Sequence, residues 1–553
     1  MKLIKILFSL LLVCSLSNCD QDKFLEVDNL NNLDAGNFWS SEADLQSGLV
    51  AVYAALQLEG LLGGTAATQL PVRSDVGRPN NWNATARSLQ TLSFNENTAV
   101  VKSRWESSYV GVYRANQVLA NLDQIEIPEE TRTLIEAQTR FLRGFFYYSL
   151  YRGYNQGSVI LLTDVPGSRE ALYQKLAPAE EVYALILADL EFAYNNLPER
   201  YASADDIGRA TWGAAAAMLG KLHINERDFT TAKRYFKEII DSGIYDLVPN
   251  IEYNFDEDHE FNEESIFEVA FSIDAKPGTQ GSARDGATGS EATSRARILA
   301  TTNGGGWRVI MPSYWVTMLF RADTADVTLP MNSDRVRPDG SAGYSIRASA
   351  SIAIADDVHS TLYQKVSSSA PYNNREASYM KKFQNWRKDI ESNLTVSGIN
   401  ERVIRLADVM LLYAETLIET GGSYTEALDM VNQVRARSGV MLLNEADYNS
   451  TSLMEHIMWV ERPLELMFEG HDIRWEDLVR WGKTKEQYQR LSAMQFVQID
   501  KVLHFYDPEN PDHQGLQILN EFKEAADLYD PELHDYFPIP STELTSNPDL
   551  LGG

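Results

Sequence analysis

Glu461 to Lys483 gathers Glu465, Glu469, His471, Asp472 and Arg474 in one short run, the residue types of acid–base catalysis. Their spacing points elsewhere. Glu461, Glu465 and Glu469 recur every four residues, and Arg462, Arg474 and Arg480 are near enough to pair with them. Trp475, Leu478 and Trp481 fit the apolar face of a following helix. With no nucleophile or metal set beside them, these carboxylates read as structural. The acidic run Asp256 to Glu260 suggests calcium, but Phe261 stands where an EF-hand loop needs glycine and Phe267 where it needs the bidentate acid. A solvated acidic loop is the simpler reading. The eight histidines are scattered, and none sits at metal-ligand spacing.

A different chemistry suits the tryptophans that fall in loops. An indole ring offers an apolar face to a pyranose, while Asp, Asn and Arg nearby satisfy its hydroxyls. Two stretches combine these types. Ser74 to Asn83 holds Trp82 with Asp75, Arg78 and Asn81 within a few residues, and Gly304-Gly305-Gly306-Trp307-Arg308 sets an aromatic beside a guanidinium on a flexible glycine run. Trp386, between Asn385 and Arg387, is a weaker third. Tyr314 and Trp315 follow a helical pattern and read as core, as do Trp39, Trp105, Trp212, Trp459, Trp475 and Trp481. Arg73, Arg78 and Arg87 could form a local basic face.

The elements that must position these loops are mostly helical. Ser41 to Leu58 has helical periodicity behind a Ser41 cap with Asp44 three residues on. Glu59 to Asn95 is rich in Gly, Asn and Thr and reads as loops. Helical patterns cover Val100 to Leu122, Pro128 to Tyr151, Ala179 to Asn196 and Arg209 to Ser242, and return at Glu401 to Thr420, Ser423 to Ser438 and Leu453 to Phe468. Leu219-Gly220, Ala232 and Phe236 occupy the L-G, A and F positions of a tetratricopeptide repeat, and Leu411, Ala414, Ala427 and Val431 recur at similar spacing. Ala275 to Asn400 changes to loop and short strand. The fold class is therefore mainly α: tetratricopeptide-like helices interrupted by loop and short-strand insertions.

Lys2 and Lys5 give a positive start, and Leu3 to Leu16 give an apolar run shorter than the ~20 residues a membrane-spanning helix needs. It ends in Leu16-Ser17-Asn18-Cys19, which resembles the lipobox of bacterial lipoproteins. That implies a signal peptide over residues 1–18, a lipidated Cys19 and an extended leader to residue 40, with acyl chains as the membrane anchor. The net charge of −29 repels polyanions, so no nucleic-acid partner is expected. Cys14 departs with the signal and Cys19 carries lipid, which leaves no disulfide.

Glu461 to Lys483 also resembles the C-terminal signature of the SusD/RagB family, outer-membrane nutrient-binding lipoproteins of Bacteroidetes. Phe24-Leu25-Glu26, Asn262 to Val269, Pro312-Ser313 with Asp334-Arg335, Arg405 to Leu411 with Ala414-Glu415, and Phe537-Pro538-Ile539-Pro540 match in the same order. Pro463 departs from the family pattern, and a bend is expected there. The resemblance implies a SusD-like domain over residues 41–553, with a loop-rich insertion at 275–400 and the signature region at 401–553. It implies a non-enzymatic, cofactor-free protein, lipid-anchored in the outer membrane and facing outward. Such a protein captures glycan and delivers it to a SusC-like TonB-dependent barrel. The resemblance further implies a single globule whose loop and short-strand insertions form the ligand face, with ligand contacts from the region of Ser74 to Asn83 as a variable loop, by region and not residue by residue. The alternatives are a peptide-binding receptor of the RagB type and a lipid-anchored glycoside hydrolase with paired carboxylates.

Overall fold

A computed structural model describes residues 38–275, 291–337, 339–366, 377–388, 397–470 and 472–550. Cys19 and the leader to residue 37 lie outside the described residues, as does His471.

The body is an array of antiparallel helices, each packed on the next. Glu42–Ala54 lies against Ala99–Leu122, which packs on Glu129–Gly153, then Ala179–Asn196, Trp212–Asn225 and Phe229–Asp241. The first helix starts as expected: the Ser41 hydroxyl accepts from the Asp44 amide at 3.3 Å, and the Asp44 carboxylate takes the Ser41 hydroxyl proton in return. Glu129–Gly153 buries every residue from Phe141 to Gly153, so it is the spine of the array. One of its two buried arginines is matched directly: Arg143 donates to both Asp189 oxygens at 2.7 and 2.8 Å. The tetratricopeptide spacing has a steric basis, since a Cβ on Gly220 would sit 2.4 Å from the Phe236 ring. The two repeat-like pairs, far apart in sequence, are neighbours in space. Phe229–Asp241 packs directly on Leu406–Glu419, which packs on Tyr424–Arg437.

Two expectations change. Glu401–Arg405 is a strand, not the first turn of a helix; it pairs antiparallel with Ser265–Val269 across a bulge, and helix begins only at Leu406. Val403 and Ile404 supply the β-branched side chains that favour this. Glu59 to Asn95 is more ordered than its composition suggests. It contains the short helices Thr65–Gln69 and Ala84–Gln90, the latter capped by Asn83, and the strand Gly77–Pro79. Around Pro463 the helix changes type: Ile457–Glu461 form a π turn, and Pro463 falls in the first turn of Arg462–Leu466, where the N–H it lacks is least needed.

The signature carboxylates are structural, but their partners are not the arginines of their own run. Glu461 accepts from Arg347 and from Arg435 at 2.9 Å; Glu465 from Arg405 at 2.6 Å and from Arg437; Glu469 from Arg405 and Lys382. Glu264, beside the strand pair, joins them through Arg437 at 2.8 Å. Arg462 pairs instead with Asp477 and Asp408, Arg474 with Asp75, and Arg480 with Glu415 and Asp477. Burial works to raise the Glu465 pKa, yet Arg437, Arg405 and Arg347 together hold it at about 2. Lys382, buried beside Glu469, falls to about 8. Since Arg347 and Lys382 come from the insertion and Arg405, Arg435 and Arg437 from the helical body, this cluster is the joint between them.

The acidic run is only partly solvated, with Asp258 exposed and Asp256 buried. Arg387 pairs with Asp256 at 2.7 Å and Asp258 at 2.6 Å, and the His259 ring stacks on Tyr253 with centroids 3.7 Å apart. Burial raises Glu260 to about 7, where Glu268 adds repulsion and Arg402 only partly offsets both. Among the described residues no group of three His, Cys, Asp or Glu side chains is placed to hold a metal ion.

Candidate ligand-binding face

Gly77–Pro79 pairs antiparallel with Ile310–Pro312, and this short ladder brings the two tryptophan loops together. Beyond its last pair the Asn80 amide donates to the Val309 carbonyl at 2.7 Å, and the Asn80 side chain donates to the Arg308 carbonyl at 3.2 Å. Trp82 follows Asn80 by two residues and Trp307 precedes Val309 by two, so both indoles leave the same end of one ladder. They are the two exposed tryptophans among the described residues, Trp82 at 59% and Trp307 at 43%. Apolar surface of that size left in water is the informative observation, since folding gains from burying it.

The turn beneath Trp307 is rigid, contrary to the flexible run expected from its glycines. Thr301 receives the Gly304 amide at its hydroxyl, at 2.8 Å, and the Gly306 amide at its carbonyl, also at 2.8 Å. A Cβ on Gly306 would meet the Ala300 side chain at 2.3 Å, and Gly305 holds φ at +90°. The glycines permit close approach, not motion. Arg308 carries the left-handed φ of 49° at the start of the ladder, where its amide donates to Ala300. A side chain in that region costs on the order of 1–2 kcal/mol, and the surrounding hydrogen bonds hold it there. Arg297 lies 5.6 Å from the Trp307 ring and steadies one face of the indole.

Of the other candidates, Arg78 and Asn81 line a cleft of about 340 Å³ beside Trp82. The Arg78 guanidinium lies over the Tyr314 ring at 4.6 Å and donates to the Pro312 carbonyl at 3.2 Å. Asn81 is exposed at the rim. Asp75 leaves the set. It is fully buried, and its two oxygens accept from Arg474 at 2.8 and 2.7 Å and from Gln487 at 2.6 Å. The basic face also loses Arg73, which is buried between the Trp475 and Phe537 rings and bonded to Asp472. Trp386 is half-buried, with the Lys381 ammonium 3.9 Å from its ring.

Sequence reasoning missed the far wall of the cleft. Asn520, Glu521, Lys523 and Glu524 come from the C-terminal tail, and Tyr314, read as core, lines the cleft too. Glu521 ties these walls by accepting the Tyr314 amide at 2.7 Å and standing 3.6 Å from Arg78. The Pro/Asp-rich composition of the tail carried no sign of this, because the contact spans more than two hundred residues of chain.

Exposed rings beside amide and guanidinium groups are an arrangement that can offer stacking and hydrogen bonds. The signature acids, buried and ion-paired, are not available to a bound molecule. The SusD family model matches residues 263–551, and a second model, described as starch-binding associating with outer membrane, matches residues 23–224. The chain belongs to the SusD family. SusD-like protein P2 of Formosa agariphila is 28% identical over 87% of this chain and 91% of that protein. A SusD-like protein of Bacteroides ovatus is 24% identical over 83% of this chain and 79% of its own length. A SusD superfamily protein from Bacteroides vulgatus superposes with a TM-score of 0.75 at 22% identity, covering 93% of this chain and 98% of that one. A laminarin-binding SusD-like protein gives 0.64 at 24% identity, covering 92% and 98%. Surface glycan-binding protein A from Bacteroides fluxus gives 0.65 at 19% identity, covering 92% and 97%. At these identities the structural likeness speaks for the shared fold: a mainly helical, tetratricopeptide-like SusD architecture.

Proposed function

We propose that this protein is a cell-surface glycan-binding lipoprotein that captures oligosaccharide or polysaccharide without cleaving it and delivers it to a SusC-like TonB-dependent transporter. The observation that carries the reading is that Trp82 and Trp307, both exposed, lie in loops joined at one end of a short strand pair. Arg78, Asn81 and Arg308 would supply hydrogen bonds around the stacked sugar. Two solved relatives are described as binding laminarin or surface glycans, which supports a sugar as the ligand. The membrane link is the acylated Cys19. No helix among the described residues is long and apolar enough to cross a bilayer.

Affinity electrophoresis in gels containing laminarin, starch, xylan or mannan tests the ligand. Retardation by at least one glycan, lost in Trp82→Ala and Trp307→Ala with the circular dichroism spectrum unchanged, is the expected result. Release of reducing ends from the retarding glycan would reverse the non-catalytic reading. Radiolabelled palmitate incorporation, lost in Cys19→Ala, tests the anchor, protease shaving of intact cells tests the outward orientation, and co-purification with the barrel tests the transport partner.

A further inference from the structure

The largest cavity among those described lies away from the Trp82–Trp307 face. It holds about 830 Å³ between the outer surface of helix Ala99–Leu122, the segment from Ile160 to Tyr173 and the short C-terminal helix Ser541–Ser546. It shares no lining residue with the cleft beside Trp82. Trp105, Tyr109 and Tyr113 line it at four-residue intervals on one face of the helix, Trp105 buried, Tyr109 half-buried and Tyr113 open.

These rings are set before any ligand arrives. Trp105 Nε1 donates to Glu543 at 3.3 Å, and its ring centroid lies 4.9 Å from that of Tyr109. The Tyr109 hydroxyl donates to the Ile160 carbonyl at 2.7 Å, and the Tyr113 hydroxyl accepts from Gln117 at 2.7 Å. Tyr113 nevertheless leaves 45% of its surface in water, and Leu172 on the opposite wall leaves 44%. Packing alone does not account for two large apolar side chains facing each other across a water-filled cleft. Glu106, Arg114 and Arg169 complete the lining and place hydrogen-bonding groups beside the aromatic rings.

The geometry points to a second carbohydrate site here, separate from the Trp82–Trp307 face, that takes a short oligosaccharide against Tyr109, Tyr113 and Leu172. A cavity of this volume is of ligand-binding size. A purely apolar ligand would leave Glu106, Arg114 and Arg169 without new partners on desolvation, whereas sugar hydroxyls can satisfy them. The choice of ligand class rests on the glycan-binding reading above; the existence of the site does not.

The test uses the Trp82→Ala/Trp307→Ala double variant and saturation-transfer NMR with hexaoses of β-1,3-glucan, β-1,4-glucan, α-1,4-glucan, xylan and mannan. At least one hexaose should still bind the double variant, and adding Tyr113→Ala or Leu172→Asp should weaken it at least fivefold. Both positions are exposed, so the two substitutions serve as independent checks should either disturb folding. Absence of hexaose binding to the double variant, or residual binding indifferent to both substitutions, overturns the proposal. Failure of the Trp82–Trp307 reading looks different: the double variant then keeps the full wild-type affinity, while Tyr113→Ala removes it.

Discussion

The joint built on Glu461, Glu465 and Glu469 and the face built on Trp82 and Trp307 draw on the same few residue types and use them oppositely. At the joint, arginines and glutamates are buried and spend their hydrogen bonds on one another. At the face, apolar rings stand in water while the backbone beneath them is fully bonded. Arg73 and Arg78, five residues apart, make the contrast local. One is sealed between two rings inside the body, and the other lines an open cleft with its guanidinium over Tyr314. Residue type alone therefore does not separate holding from binding. Accessibility and prior hydrogen bonding do.

The sharpest way to break the comparison is at Arg405, which contacts Glu264, Glu465 and Glu469 at once. Arg405→Met leaves buried carboxylates without a counter-charge, and a loss of about 3–5 kcal/mol in urea unfolding is expected. The reverse case is Trp82→Ala. It should leave the unfolding curve in place and cost about 2 kcal/mol of glycan binding, or roughly thirtyfold in Kd by calorimetry. Gly306→Ala should disturb both quantities, because its Cβ meets Ala300 under Trp307; about 1–2 kcal/mol of stability and a weaker glycan affinity are expected.

Two pH experiments sharpen the contrast further. Glu465 and Glu264 titrate below their ordinary range in the folded state despite burial, through Arg437 and Arg405. Their contribution is present above the unfolded carboxylate pKa of about 4.5 and is lost as pH falls through the folded values. Urea midpoints should therefore drop steeply between about pH 4.5 and pH 2, and less so in Glu465→Gln once its lower starting stability is subtracted. Glu260 has the opposite sign. Its folded pKa, raised to about 7, favours folding most below about pH 4.5, and that advantage is lost as pH rises through 7. Glu260→Gln should gain stability relative to wild type between pH 5 and pH 8, by about 1 kcal/mol after discounting for its partial exposure.

The helical body was legible because its signals are local: the periodicity of Phe141 to Leu150, the Ser41 cap and the Gly220–Phe236 contact each act within a turn or one helix pair. The exposure of Trp82 and Trp307 was legible from the polar, glycine-rich loops around them. Their meeting was not, because the Gly77–Pro79 and Ile310–Pro312 strands are three residues each and lack alternation long enough to read. Asp75 shows the cost of judging by neighbourhood. Beside Trp82 in sequence it looked like a sugar ligand, and only the distant Arg474 and Gln487 draw it into the core. The partners of Glu461, Glu465 and Glu469 were misassigned for the same reason, since Arg347, Arg405, Arg435 and Arg437 are remote in sequence.

The bulged strand pair Ser265–Val269 and Glu401–Arg405 sets the two ends of the intervening chain side by side. That stretch does not stand alone: its Arg347 and Lys382 neutralise Glu461 and Glu469, and its strand Ile310–Pro312 pairs with Gly77–Pro79 of the body. Trp307 lies in the stretch and Trp82 in the body. A transplant between relatives would therefore keep the buried glutamates neutralised only if it carried both cations along.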